Sequence, residues 1–431
     1  MALRGRMARI VLATIGSLGD LHPVLALALE LRRRGHRAEI ATSEFYREKI
    51  SALGLGFHPL RPEMRIVDEA LVRRIMDSRR GSAYLLRDLL FPAVRDMHAD
   101  LAPVVTGADL LVASELIYAA PLLAEKTGLP WVSYSLAPIS LFSATDPPLM
   151  PGPPGTHWLQ SLGPVANRFL RVMAKLVTHS WWRPVRELRR ELGLPPSASP
   201  IFEGKYSPRL DLALFSPVLA SPQPDWPAST VQCGFPFYDE AGATAASAEP
   251  VEGALPPPVE SFLAAGEPPI VFTLGSSAVY LAGDFYGQSA LAAQALGRRA
   301  LLLVGENPPP PGLPTSILAW NYLPYAQIFP RAAAVVHQGG IGTTAEALRA
   351  GRPMIVMPFA HDQFDNAARV TRLGIARTIA RPRYTAARAA RELAALLGDP
   401  RCAAAAAGLG ARVRAERGIE VACDALERQL R

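Results

Sequence analysis

Cysteine is scarce, and what there is does not pair. Cys233, Cys402 and Cys423 are odd in number and far apart, so neither a disulfide framework nor a metal-ligand spacing is present. A reducing, cytoplasmic setting is expected. No apolar run nears the ~18 residues of a membrane span. The opening MALRGRMARIVLATIGSLGD has the outline of a signal peptide, but its apolar run is short and ends at Gly16 and Asp20 without a small-residue cleavage pattern. A first buried strand explains it better. The chain also lacks an Asp-x-Asp pair, so no catalytic metal and no cofactor is expected. Acidic residues are outnumbered, giving a net charge of +7. The surplus is scattered, apart from Arg32, Arg33 and Arg34, and no basic stretch interleaved with aromatics exists to suggest nucleic-acid binding. A solvated basic surface, or attraction to phosphates or to the inner membrane face, accounts for it.

What the sequence has is length and alternation. Its 431 residues allow two or three domains, and 49 % apolar residues suffice for full cores. Strands are expected at 9–15, 38–42, 109–113, 130–134 and 211–215, with helical patterns between them, the first over 24–34. A second alternation follows: strands at 270–274, 300–304, 332–336 and 353–357, helices at 285–296, 343–350 and 364–373. The Ala-rich stretch 402–430 reads as two helices. Such alternation means α/β structure with parallel sheets covered on both faces. We expect an N-terminal unit over 1–238, a linker over 239–258, a second unit over 259–405, and terminal helices over 406–431 that pack back toward the first unit. Residues 144–200, Pro-rich and then apolar and helical, read as an insertion suited to forming a pocket wall.

Four loops carry polar chemistry at strand ends, where α/β sheets bind ligands. The first is HQGGIGTT (337–344), a strand–glycine loop–helix step. Its glycines, Gly339, Gly340 and Gly342, admit a phosphate to the backbone, the helix start offers free N–H groups, and Thr343 and His337 add donors. A plain βα turn is the ordinary alternative. The loop also fits G-x-G-x-x-A, with Asp362 downstream, so an NAD-dependent oxidoreductase is a rival. However, that fingerprint normally opens a domain, and here it comes late. The second loop, HDQFDN (361–366), places Asp362 beside Gln363, an acid–amide pair suited to sugar hydroxyls. Either Asp362 or Asp365 as a helix N-cap is the bland reading. The third, GSLGDLHP (16–23), offers Asp20 or His22 as a proton acceptor, with Asp20 as an N-cap the alternative. The fourth, TLGSS (273–277), suits a pyrophosphate or an ST-turn.

In this order the four loops resemble family 1 glycosyltransferases of the GT-B fold, two Rossmann-like domains facing across a cleft. The run VVHQGGIGTTAEALRAGRPMIVMPFAHDQFDNAARVTRLG is similar to that family's donor signature and IGSLGDLHP to its acceptor loop. SPQPDWP, VQCGFPFYD and VFTLGSSAVYLAGDFY are most similar to the rhamnosyltransferase branch of rhamnolipid synthesis. The resemblance implies an inverting hexosyl transfer from a nucleotide diphosphate sugar to a hydroxyl of an apolar, lipid-like or natural-product acceptor. It implies roles residue by residue. His337 contacts the α-phosphate, and Gly342 and Thr343 form the phosphate turn. Asp362 and Gln363 hold the sugar, Ser276 lies near the pyrophosphate and Tyr322 stacks on the base. Asp20 is the catalytic base in preference to the displaced His22. Members with a His base often have an Asp relay partner after the 109–113 strand; this chain departs from the pattern with Ser114 and Glu115 there, so no relay is expected. Glu346 matches an acid that reads both ribose hydroxyls, where the rhamnolipid branch has an aliphatic residue. This tilts the expectation toward a UDP-sugar over a dTDP-sugar. A non-catalytic nucleotide-sugar-binding partner protein is the rival from another class; it would keep the donor loop and lose the base.

Overall fold

The computed structural model describes residues 7–64, 68–150, 162–238 and 255–430. The linker expected over 239–258 falls almost wholly outside them, as does part of the Pro-rich loop.

The first sheet has seven parallel strands. In chain order they are β1 (Arg9–Ala13), β2 (Arg37–Thr42), β3 (Gly56–Pro59), β4 (Leu110–Ser114), β5 (Trp131–Ser135), β6 (Asp211–Ala213) and β7 (Thr230–Gln232). Across the sheet they run β3-β2-β1-β4-β5-β6-β7. The second has six parallel strands: β8 (Ile270–Thr273), β9 (Ala300–Leu303), β10 (Ile317–Trp320), β11 (Ala334–His337), β12 (Met354–Val356) and β13 (Ala376–Thr378), ordered β10-β9-β8-β11-β12-β13. Buried apolar runs such as IVLA and LLVA make these strands, because a sheet covered by helices on both faces needs no polar alternation. Each sheet reverses its order once, between β1 and β4 and between β8 and β11, and ligand crevices open at the carboxyl ends beside such reversals.

Helix α1 (Leu18–Arg33) follows β1 and starts six residues earlier than expected. Ser17 is its N-cap and Asp20 the third helical residue, with the reciprocal hydrogen bonds of a capping box. The expectation of Asp20 as the N-cap is thus corrected. Pro23 lies inside the helix rather than in its first turn, and the capping box starts the helix ahead of it. Helix α2 (Glu69–Ile75) belongs to the first half by sequence, yet Val72 and Met76 join the core cluster of the second sheet. The insertion contains α3 (Pro164–Thr178). In the second half, α4 (Phe285–Ala295) follows β8, α5 (Ile341–Ala350) follows β11 and α6 (Gln363–Arg372) follows β12. Helix α7 (Pro400–Arg414) packs on α5, and Ala406 and Leu348 share one apolar cluster. The last helix, α8 (Gly418–Gln429), packs on α1: Cys423 and Leu426 share a cluster with Leu27 and Leu31. Arg34 bonds Asp424 at 2.5 Å and Glu427 at 2.9 Å and so ties α8 to the end of α1, while Arg33 pairs with Glu30 within α1 at 2.7 Å. No helix among the described residues is long and apolar enough to cross a membrane.

Candidate active site

The loops after β1, β4, β8, β11 and β12 open on one cleft of about 900 Å³ between the two sheets. The two halves meet at helix starts: a Cβ placed on Gly342, in the first turn of α5, would lie 3.8 Å from Gly19 Cα in the first turn of α1. The uncapped start of α5 offers free N–H groups and a positive dipole end to this space, which favours an anion there, whereas the N–H groups at the α1 start are taken by the Ser17–Asp20 capping box.

On the first half, Asp20 lines the cleft. Its Oδ2 accepts the Ser17 N–H at 2.7 Å and the Ser17 hydroxyl at 3.2 Å. Gly16, at φ +138°, permits this, since a Cβ there would lie 2.2 Å from Asp20 Oδ2. Burial pushes the Asp20 carboxyl up to about 6; the Ser17 donors oppose the rise and the charge of Glu115 adds to it. The capping role does not leave this carboxylate weakly basic, because desolvation outweighs the two donors. His22 also lines the cleft, two residues further along α1, with its ring 5.0 Å from that of Tyr238. Glu115 lines the same region, accepts from the Ser140 hydroxyl and is paired with the buried ammonium of Lys205. The Asp20 carboxylate is held by Ser17, and Glu115, at the place of the family's relay aspartate, is held by Lys205 and Ser140. Lys205 was not among the expected residues.

On the second half, α5 begins at Ile341 with Gly340 as its N-cap, and no side chain caps it. Gly340, Gly342, Thr343 and Glu346 line the cleft, with Ser276 in the loop after β8 and Tyr322 after β10. Tyr322 is half exposed, with its ring 6.4 Å from that of Tyr325, a placement open to a planar base. Glu346 Oε2 is engaged by Arg349 at 2.8 Å. Asp362 and Gln363 line the cleft at the start of α6. Asp362 Oδ2 accepts the Asn366 amide at 2.7 Å, and burial lifts its carboxyl to about 7, with the Asp20 charge adding to the rise across the cleft. Asp362 occupies the N-cap position without capping by its side chain, and Asp365 is turned to Arg369 at 2.7 Å and the Leu149 N–H at 2.9 Å. Neither acid is an ordinary cap. Gln363 Oε1 accepts the Phe359 and Ala360 N–H groups at 2.8 and 3.2 Å, which leaves its NH₂ to meet a ligand.

His337 and Gly339 stand behind the wall rather than in it. His337 is fully buried; its Nδ1 accepts the Gly339 N–H at 3.1 Å, and burial depresses its pKa to about 3. The ring is neutral, with its proton on Nε2. Gly339 is needed as glycine: at φ +90° a Cβ would lie 2.7 Å from Val356 and 3.0 Å from the Gln363 carbonyl. One further bridge escaped the sequence reading. His361, a non-glycine residue at φ +54°, meets the Ser82 hydroxyl through Nδ1 at 3.0 Å and ties the halves beside Asp362. The insertion contributes less than expected. Of its described residues only Met150 lines the cleft, and α3 does not.

Residues 10–138 match the family 28 glycosyltransferase N-terminal domain, and residues 305–425 match the C-terminal domain of erythromycin biosynthesis protein CIII-like proteins. The chain is 34 % identical to O-mycaminosyltylonolide 6-deoxyallosyltransferase of Streptomyces fradiae over 97 % of each chain. It is 32 % identical to glycosyltransferase GtfE of Amycolatopsis orientalis over 85 % of each. Among solved structures, the glycotransferase of kitacinnamycin superposes with a TM-score of 0.73, at 23 % identity, over 99 % of this chain and 100 % of the other. VinC in complex with dTDP gives 0.67 at 21 % over 98 % and 99 %. These relatives speak to the family rather than to its rhamnolipid branch, and a transferase, not a dehydrogenase, is what they share with this chain. With its two all-parallel sheets and the polar loops gathered on one cleft, this chain belongs to the GT-B glycosyltransferases of the erythromycin CIII-like kind and is a transferase enzyme of the type that glycosylates natural products with nucleotide sugars.

Proposed function

We propose that the enzyme transfers a 6-deoxyhexosyl group from a pyrimidine nucleoside diphosphate to a hydroxyl of a macrolactone-like acceptor, with inversion at the anomeric carbon. The observation that carries this is the opposition of Asp20 to the start of α5 across one cleft. The acceptor lies against the first sheet, where Asp20 takes the proton of its hydroxyl. The oxygen attacks the anomeric carbon as the bond to the diphosphate breaks on the opposite face. The electron pair leaves on the diphosphate, where the free N–H groups of α5, Thr343 and Ser276 stabilise it. Asp362 and Gln363 hold the sugar hydroxyls. His337 acts from behind, by holding the turn at Gly339 rather than by touching the phosphate. The S. fradiae relative's transfer of a 6-deoxyallosyl group to O-mycaminosyltylonolide supports both the sugar and the acceptor class.

The charge that a metal would neutralise is met here by helix starts and hydroxyls. We expect transfer to proceed at an unchanged rate in EDTA; loss of activity that returns with added magnesium or manganese would refute the metal-free reading. The nucleotide follows from Glu346. Because Arg349 holds one of its oxygens, the carboxylate is a poor clamp for two ribose hydroxyls. Calorimetric titration should therefore give UDP and dTDP affinities within about tenfold, ~1.4 kcal/mol. A larger UDP preference, erased by Glu346→Ala, would restore the ribose-reading role and the UDP-sugar. Binding of neither nucleotide would overturn the donor site.

A further inference from the structure

Helix α3 is amphipathic and faces the wrong way for a helix of a lone subunit. Asn167 is buried and donates to the Ala144 carbonyl at 3.0 Å. On the same face Arg171 reaches the Phe142 carbonyl and Lys175 pairs with Glu203. The polar side is thus turned to the body, and the apolar side is turned out. Of the thirteen large apolar side chains exposed among the described residues, eight lie between Leu162 and Val177. Val165 is 80 % exposed, Leu176 65 % and Phe169 63 %. Helical geometry puts Val165, Phe169, Val172 and Leu176 on one line, at alternating steps of four and three residues, the spacing of a helix–helix seam.

We infer that this seam pairs with the same seam of a second copy of the chain, the two α3 helices running antiparallel across a twofold axis. Three observations select that occupant. The exposed parts of the eight side chains amount to roughly 800 Å², the share per partner of a standard interface and above the ~300–600 Å² patch of an ordinary monomer. The four seam positions carry no charge, with exposed Arg168 at their edge, and an isologous contact can bring the same apolar line together from two copies. A bilayer fits less well, because a surface-bound helix directs its cations to headgroups, whereas Arg171 and Lys175 are tied inward and Arg168 is the single exposed cation of α3. The acceptor fits less well again, since no residue of α3 lines the cleft. Pairing has a route to the site through Arg171, which bonds the backbone of Phe142, a cleft residue in the left-handed region at φ +46°.

Sedimentation velocity on the full chain tests this. The wild type is expected to run as a dimer. Phe169→Glu with Leu176→Glu should run as a monomer with unchanged far-UV circular dichroism, its dissociation constant raised by about a hundredfold or more. Should that variant not fold, Val172→Cys serves: the native cysteines are buried, so mild oxidation should give a covalent dimer through the seam alone. A monomeric wild type, a dimer that survives in the folded double variant, or a dimer that Val172→Cys fails to cross-link would overturn the inference. So would seam-dependent flotation of a monomer with phosphatidylglycerol-containing vesicles, which would assign the seam to lipid.

Discussion

Asp20→Asn is expected to lower kcat/KM by about 10²–10⁴, the usual contribution of a positioned general base, while nucleotide affinity stays at the wild-type level. The separation follows from geometry: Asp20 belongs to the first half of the cleft, and the phosphate-binding start of α5 to the second. The asparagine keeps the Ser17 contacts in part, so the α1 start survives and the loss reads the missing base. Since burial first of all raises the Asp20 carboxyl to about 6, the wild-type kcat/KM should fall as pH drops through that value, as the base is protonated. Two substitutions separate Asp20 from His22 as the base: if Asp20→Asn keeps the wild-type rate and His22→Ala loses it, the assignment moves to His22.

Replacing Asp362 by Asn should cost activity and add stability. The lost carboxylate is expected to reduce kcat/KM by about 10²-fold or more, because charged acceptors on substrate hydroxyls are among the stronger hydrogen bonds and leave unpaired donors when removed. The stability change has the opposite sign. Burial raises the folded-state pKa of Asp362 from 3.8 to about 7, so the folded protein holds this proton more tightly than the unfolded chain. The cost of ionising the carboxyl therefore builds as pH rises from about 4 to 7 and is complete above that range. Asp362→Asn removes it, and chemical denaturation should show the variant more stable at pH 8 by on the order of 2–4 kcal/mol, with the difference vanishing below pH ~4. A variant no more stable at pH 8 than the wild type would mean that the acid is solvated in the free enzyme. Low activity combined with that gain is the pattern expected where desolvation prepares a site.

How far the sequence reveals this site depends on whether the decisive contacts are local. The strand–loop–helix steps at 9–33 and 334–350 are legible because strand, glycines and helix onset adjoin, and the cleft residues on those loops come with them. Even there a local signal is easily misread. Ser17-x-x-Asp20 is a capping-box spacing, yet Pro23 draws attention and delays the apparent helix start. The missed strands are short or atypical: β13 is Ala-Arg-Thr, β7 is Thr-Val-Gln, β3 ends in proline, and β10 is four residues beside a Pro-rich turn. Long-range contacts leave no such trace. Glu115 and Lys205 are 90 residues apart, and Ser82 and His361 are separated by 279. The depth of His337 was equally hidden, because a histidine that ends a strand has the same sequence whether its ring meets the ligand or supports the loop. For α3 the apolar pattern was plain but its direction was not. Periodicity gives the face, and only the anchoring of Asn167, Arg171 and Lys175 shows that the face is turned outward.

The central claim is a single displacement driven by Asp20 against a leaving diphosphate. It is tested most directly by incubating the enzyme with an α-linked nucleoside diphosphate 6-deoxyhexose and a hydroxylated macrolactone, then reading the anomeric configuration of the product by NMR. The expected product is a β-glycoside, formed one for one with released nucleoside diphosphate and lost in Asp20→Asn. An α-glycoside would contradict the single displacement, since retention requires a second displacement for which Asp20 is not placed.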